Sequence, residues 1–148
     1  VSSILLVCAA NLCRSPMAEA VLKARAAELG LLQVASAGVW ASSRAQAADK
    51  RALTVLQQRG YALDKRWRSR RVQEEDFDRY ELLLAMDREV LQGLLAMRPA
   101  RSQARLGLFL EGLTGLGTDE VPDPYYGPAQ GFERVLDLIE ARARDWRG

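Results

Sequence analysis

The stretch VSSILLVCAANLCRSPMAEA, residues 1–20, decides how the rest of the chain is read. Ile4 to Val7 is an unbroken apolar run, the pattern of a strand buried on both faces rather than one face wetted by water. The run ends on the thiol of Cys8. Five residues lie between Cys8 and Arg14, and Ser15-Pro16 follow. From Pro16 to Leu29 apolar residues fall at helical spacing (Met17, Ala20, Val21, Ala24), with Gly30 as the stop. A buried strand, a short loop and a helix thus meet around one cysteine.

The same alternation continues outward. Leu32 to Ser36 reads as a second strand, ended by Ala37 and Gly38. Ala45 to Arg59 reads as a second helix stopped by Gly60, and residues 61–79 as irregular and highly charged. Tyr80 to Ala85 is a third strand, and Asp87 to Met97 a third helix closed by Pro99. Arg105 to Leu110 is a short fourth strand. A loop rich in Gly, Asp and Pro spans Glu111 to Pro128, and Phe132 to Trp146 makes the last amphipathic helix. Apolar strands alternating with helices predict an α/β fold, a parallel sheet with helices on both faces. With no repeat or linker, residues 1–148 read as a single domain. Ligands of such sheets bind at the carboxyl ends of the strands, where Cys8 sits.

Composition narrows the chemistry. The chain has 148 residues, 49% hydrophobic and 27% charged, enough for one sizeable core. A net charge of +2 gives no reason to expect nucleic acid. No apolar run has membrane-spanning length, so no membrane insertion is expected, and without a signal-peptide pattern the expected location is cytoplasmic. Cys8 and Cys13 are the only cysteines and there is no histidine. That rules out Ser-His and Cys-His pairs, leaves too few ligands for a tetrahedral zinc site, and assigns acid–base work to a carboxylate. No cofactor or metal is called for.

A tight loop from strand to helix can turn the N–H groups of Ala9, Ala10, Asn11, Leu12, Cys13 and Arg14 inward as an anion-binding nest. Such a field also stabilises a thiolate at Cys8. The Arg14 fork can hold two phosphate oxygens. Ser15 can donate to the thiolate, and Asn11 tolerates a left-handed backbone while its amide braces the loop. The spacing suits a ring around a tetrahedral oxyanion with sulfur beneath phosphorus. It is not a Walker loop, because Gly-Lys-Ser/Thr is absent. The proton donor is sought in a loop near the same end of the sheet. Val121-Pro-Asp-Pro-Tyr-Tyr-Gly127 offers Asp123 between two prolines, with Tyr125 and Tyr126 to wall a slot for an aromatic substrate.

At these residues the chain resembles the low-molecular-weight protein tyrosine phosphatases. The matches are CAANLCRSPMAEA, SAG at Ser36 to Gly38, LLAMD at Leu83 to Asp87, and VPDPYYG, in the family's order. The resemblance implies a four-stranded parallel sheet of flavodoxin-like order. It implies Cys8 as nucleophile, Arg14 as phosphate binder, Asp123 as proton donor, and a pocket wall of Tyr125, Tyr126 and Trp40. It further implies that Cys13 can form a reversible disulfide with Cys8. The expected substrate is a phosphotyrosine-containing protein; for a bacterial member, a tyrosine kinase is the expected partner. Three departures carry expectations of their own. Ala10 replaces a usual glycine and would strain the loop if its φ were positive. Trp67 stands where the family has a histidine, so bracing through that histidine is expected to be lost. Val39 replaces a usual threonine.

Simpler roles account for other residues. Asp87 reads as a helix N-cap and Lys65 to Arg71 as a solvated basic loop. Phe132, Val135, Leu136, Ile139 and Trp146 read as core. Two rival functions remain. An arsenate reductase of the same fold, in its thioredoxin-coupled form, needs relay cysteines that are absent after Cys13. A non-catalytic phosphotyrosine or oxyanion receptor would not need Cys8, Arg14, Ser15 and Asp123 together.

Overall fold

The computed structural model describes residues 1–147. Its centre is β1 (Ser3–Cys8), whose six residues are all buried. The chain continues through α1 (Arg14–Ala24), the single turn α2 (Ala26–Leu29), β2 (Gln33–Gly38), α3 (Lys50–Gln58) and the short α4 (Asp76–Arg79). It closes with β3 (Leu82–Ala85), α5 (Arg88–Met97), β4 (Arg105–Leu108) and α6 (Gln130–Arg144). All strand pairs are parallel, in the order β2-β1-β3-β4. The expected four-stranded, flavodoxin-like sheet is thus observed.

Alternation along the central strands sorts the core into two layers. Ile4, Leu6, Leu82 and Leu84 pack under α1, α3 and α6, with Met17, Leu56, Phe132 and Leu136 among their neighbours. Leu5, Val7, Leu83 and Ala85 face the other way, against Phe77, Val90 and Leu94 of α4 and α5. No helix among the described residues is long and apolar enough to cross a membrane.

The boundaries differ from expectation where local bonds override pattern. The first helix starts at Arg14 and breaks at Arg25, and Gly30 takes the left-handed cap at φ 73°. The second strand runs on to Gly38, because Ala37 pairs with Val7 and Gly38 with Cys8. The second helix begins only at Lys50. Asp49 caps it by accepting from Arg51 N–H, while Gln46 is held outside it by a two-way exchange with Ser69. Residues 61–79, expected to be irregular, contain α4 and an isolated bridge from Arg71 to Gly38. The basic run there is not a uniform charged patch: Arg70 pairs both amines with Asp76, and Ser69 is buried.

Candidate active site

The loop after β1 is held from three sides. Trp40 N–H donates to Ala9 O and Asp49 N–H to Leu12 O, each at 2.9 Å. Arg70 N–H donates to Asn11 Oδ1 at 2.9 Å. Beneath the loop lies Gly38, where an added Cβ would stand 2.6 Å from Ala9 O and 2.9 Å from Asn11 N. Only glycine permits that approach, which accounts for the SAG segment. The strained residue is Asn11 (φ 60°), the only non-glycine with positive φ among the described residues. Ala10 therefore carries none of the backbone strain entertained for it. Asparagine is among the residues that tolerate this conformation best.

Asn11 also organises the nucleophile. Its backbone N–H points at Cys8 Sγ (3.3 Å), and its Nδ2 donates to Ser15 Oγ (2.8 Å) and Ser36 Oγ (3.1 Å). Ser15 Oγ accepts from Asn11 and lies 2.9 Å from Cys8 Sγ, much closer than its other acceptor, Ala37 O at 3.5 Å, so its proton can turn to the sulfur. The hydroxyl is thus aimed to stabilise a thiolate. Ser36 Oγ–H donates to Oε1 of buried Glu19 at 2.6 Å, and Trp67 Nε1–H donates to the same Oε1 at 3.0 Å. The expected loss of bracing at Trp67 is therefore corrected: the indole N–H supplies a donor at that position. Glu19, Ser36 and Trp67 escaped the reading of single motifs because they lie 17 to 48 residues apart and meet only in the fold.

Arg14 is buried, 3% exposed, at the start of α1. Its Nη1 donates to Asp87 Oδ2 (2.7 Å) and to Val121 O (2.9 Å). That leaves the Nη2 side toward the cavity, where Asp123 Oδ2 lies 3.9 Å away. The Arg14 pKa is raised: burial opposes the charge, but the facing Cys8, Asp87 and Asp123 more than offset it. Asp87 caps α5 as expected, its Oδ1 accepting from Val90 N–H at 2.8 Å. Its second oxygen orients Arg14, a role that the capping pattern alone did not reveal.

Cys8, Ala9, Ala10, Leu12, Cys13, Arg14, Asp123, Tyr125 and Tyr126 line one cavity of about 360 Å³. It opens at the carboxyl ends of the strands, where parallel sheets bind ligands. Tyr125 and Tyr126 meet edge to face, with ring centres 4.8 Å apart, and the Arg51 guanidinium lies over Tyr125 at 5.4 Å. Asp123 accepts from Tyr125 N–H at 3.0 Å and its side chain is half exposed. Trp40, expected in the pocket wall, is not in this lining; its ring packs toward Gly93 of α5. Cys13 is a buried free thiol with its pKa raised to about 12, chiefly by burial and then by Asp49. It stays protonated at neutral pH.

Residues 3–147 match the family described as low molecular weight phosphotyrosine protein phosphatase. A low molecular weight protein-tyrosine-phosphatase of Streptomyces coelicolor is 39% identical over 141 residues, covering 91% of this chain and 85% of that protein. Low molecular weight phosphotyrosine protein phosphatase 2 of Drosophila melanogaster is also 39% identical, covering 98% and 90%. Among solved structures, a protein tyrosine phosphatase from Entamoeba histolytica with Hepes in its active site superposes with a TM-score of 0.85 at 34% identity, covering 98% of each chain. Wzb of Vibrio vulnificus in complex with benzylphosphonate gives 0.83 at 27%, covering 98% and 96%.

Proposed function

The chain belongs to the low molecular weight phosphotyrosine protein phosphatase family, and on that premise we propose that Cys8, Arg14 and Asp123 carry out its hydrolysis of phosphotyrosine in two steps. The supporting observation is that the thiol and guanidinium of one loop and a carboxylate more than a hundred residues away in sequence line one cavity.

The phosphate enters the loop with its oxygens on the N–H groups of residues 9–14 and on Arg14. Cys8 Sγ, met by Ser15 Oγ and Asn11 N–H, attacks phosphorus in line with the phenolic oxygen. As the P–O bond breaks, protonated Asp123 gives its proton to the departing phenolate. A phosphocysteine remains. Asp123, now ionised, takes a proton from water, whose oxygen attacks phosphorus and returns the thiolate. Charge on the transferring phosphoryl group is met by fixed N–H dipoles and Arg14, so no step requires a metal. The Tyr125 and Tyr126 rings form the wall for the substrate ring, a fit in keeping with the benzylphosphonate bound by Wzb.

We take residues 1–148 as one phosphatase domain working in the cytoplasm. A bacterial tyrosine kinase phosphorylated on itself is the proposed partner. The test is an activity panel of phosphotyrosine peptides, phosphoserine peptides and aryl phosphates. Turnover confined to aryl esters supports the reading. Equal turnover of phosphoserine, or arsenate reduction in place of hydrolysis, overturns it.

A further inference from the structure

A second cavity, of about 280 Å³, lies along the free edge of β4 and shares no lining residue with the catalytic one. Its lining includes Arg105, Leu106, Glu111, Leu113, Arg142 and Arg147. Arg142 is the unusual member. It is 7% exposed, yet no carboxylate pairs with it among the described residues. Its Nε donates to Phe109 O at 2.6 Å, and its guanidinium lies 4.2 Å from the centre of the Trp146 ring. Neither Nη atom has a protein partner among the described residues, although every fully buried polar side-chain atom there is satisfied. The two Nη atoms are thus left to the cavity.

A buried guanidinium that no carboxylate pairs among the described residues is costly, and here burial lowers its pKa. Asp145 and Glu111 favour its charge from nearby, but neither pairs with it among the described residues, and burial outweighs them. Asp145 is held by Arg147 at 3.2 Å, and Glu111 Oε1 accepts from Leu108 N–H at 3.3 Å. Arg105 stands exposed in the same lining. The strand edge adds a donor. Arg105 and Phe109 N–H groups bond to the β3 side, so the alternation turns Leu106 N–H toward the open edge.

We propose that this cavity is a second anion site, taking a small organic oxyanion, a carboxylate or a phosphate monoester. The oxyanion bridges the Arg142 Nη atoms and Leu106 N–H, with Arg105 at the rim and the apolar body against Leu113. A guanidinium fork suits both head groups.

Amide NMR titrations with benzoate and with inorganic phosphate test it, because each site reports through its own residues. Saturable shifts at residues 106–108 and at Arg142 Nε–H, separate from those at residues 11–15, are expected with at least one probe. A response to benzoate alone identifies a carboxylate site, and one to phosphate alone a phosphate site. Arg142→Met should weaken the edge response at least about tenfold while leaving the phosphate response of residues 11–15 intact. Should that variant not fold, Arg105→Gln at the exposed rim should weaken it about threefold. Unmoved edge amides with both probes in the parent protein overturn the site, as do edge shifts unchanged in every folded variant.

Discussion

The two loops that meet at the catalytic cavity are built on opposite plans. Residues 9–13 are pinned by Trp40, Asp49 and Arg70, pressed against Gly38 and threaded by Asn11, Ser15 and Ser36. The segment bearing Asp123 is tied at Val121, which donates to Met86 O and accepts from Arg14. Before it run three glycines at positive φ, Gly112, Gly115 and Gly117, with open space around each. Asp123 itself is half exposed. The contrast follows from what each loop does. Dipoles that stabilise a transition state act best when already in place, since reorienting them would add to the barrier. A proton donor must instead change charge, and must reach water in the second step.

The largest expected effects separate the loops by the step each serves. Cys8→Ser should reduce turnover about 10⁴-fold or more, while phosphate binding measured by calorimetry persists. Retained turnover would remove Cys8 as nucleophile. Asp123→Asn should lower kcat about 10²- to 10³-fold for phenyl phosphate, within the usual reach of general acid catalysis. The loss in kcat/KM, which reports only the first step, should be smaller for p-nitrophenyl phosphate, whose leaving group departs without a proton. Equal losses in kcat/KM on the two esters would take the acid role away from Asp123.

A pair of glycine substitutions sharpens the comparison. At Gly38 the new methyl would meet backbone atoms of Ala9 and Asn11 that cannot move without shifting the nucleophile loop. Gly38→Ala should cost about 1–3 kcal/mol of stability and lower kcat more than about tenfold, because misplacing the loop by an ångström is enough. At Gly112 an added Cβ meets nothing, and φ is 83°. Gly112→Ala should therefore cost about 1 kcal/mol or more in backbone strain with kcat unchanged. Denaturant unfolding beside steady-state kinetics reads both, and a kcat loss at Gly112 matching that at Gly38 would erase the distinction between the loops.

What the sequence disclosed depended on how local each signal was. The apolar run before Cys8, the helical spacing after Pro16 and the stop at Gly60 lie within a few residues, and each has its counterpart in the structure. The order β2-β1-β3-β4 was legible only through resemblance, because nothing in a strand's own residues says which neighbour it will have. Cys8, Arg14 and Asp123 stood out because the chain lacks histidine and few residues could replace it. Asp87 was seen as a cap and not as the partner of Arg14, because only one of its two oxygens has a local signature. Trp40 shows the opposite error: its place after β2 suggested the pocket wall, but its ring settles toward Gly93, where the lack of a side chain leaves room.

The smallest effect concerns the network under the pinned loop. Trp67 Nε1 and Ser36 Oγ donate to the same Glu19 oxygen, while Lys23 Nζ holds the other at 2.6 Å. Trp67→Phe removes one donor and keeps most of the ring volume. Glu19 retains two partners, so the loss should stay near one neutral donor to a charged acceptor, about 1.5–3 kcal/mol. Ser36 should keep its place on Glu19 and so keep Asn11 in its left-handed turn. On that account the unfolding midpoint falls while kcat for p-nitrophenyl phosphate changes less than about threefold, under 1 kcal/mol of barrier. A kcat loss as large as that of Gly38→Ala would show that the loop's geometry depends on the indole N–H itself and not on the close packing of Gly38 beneath it.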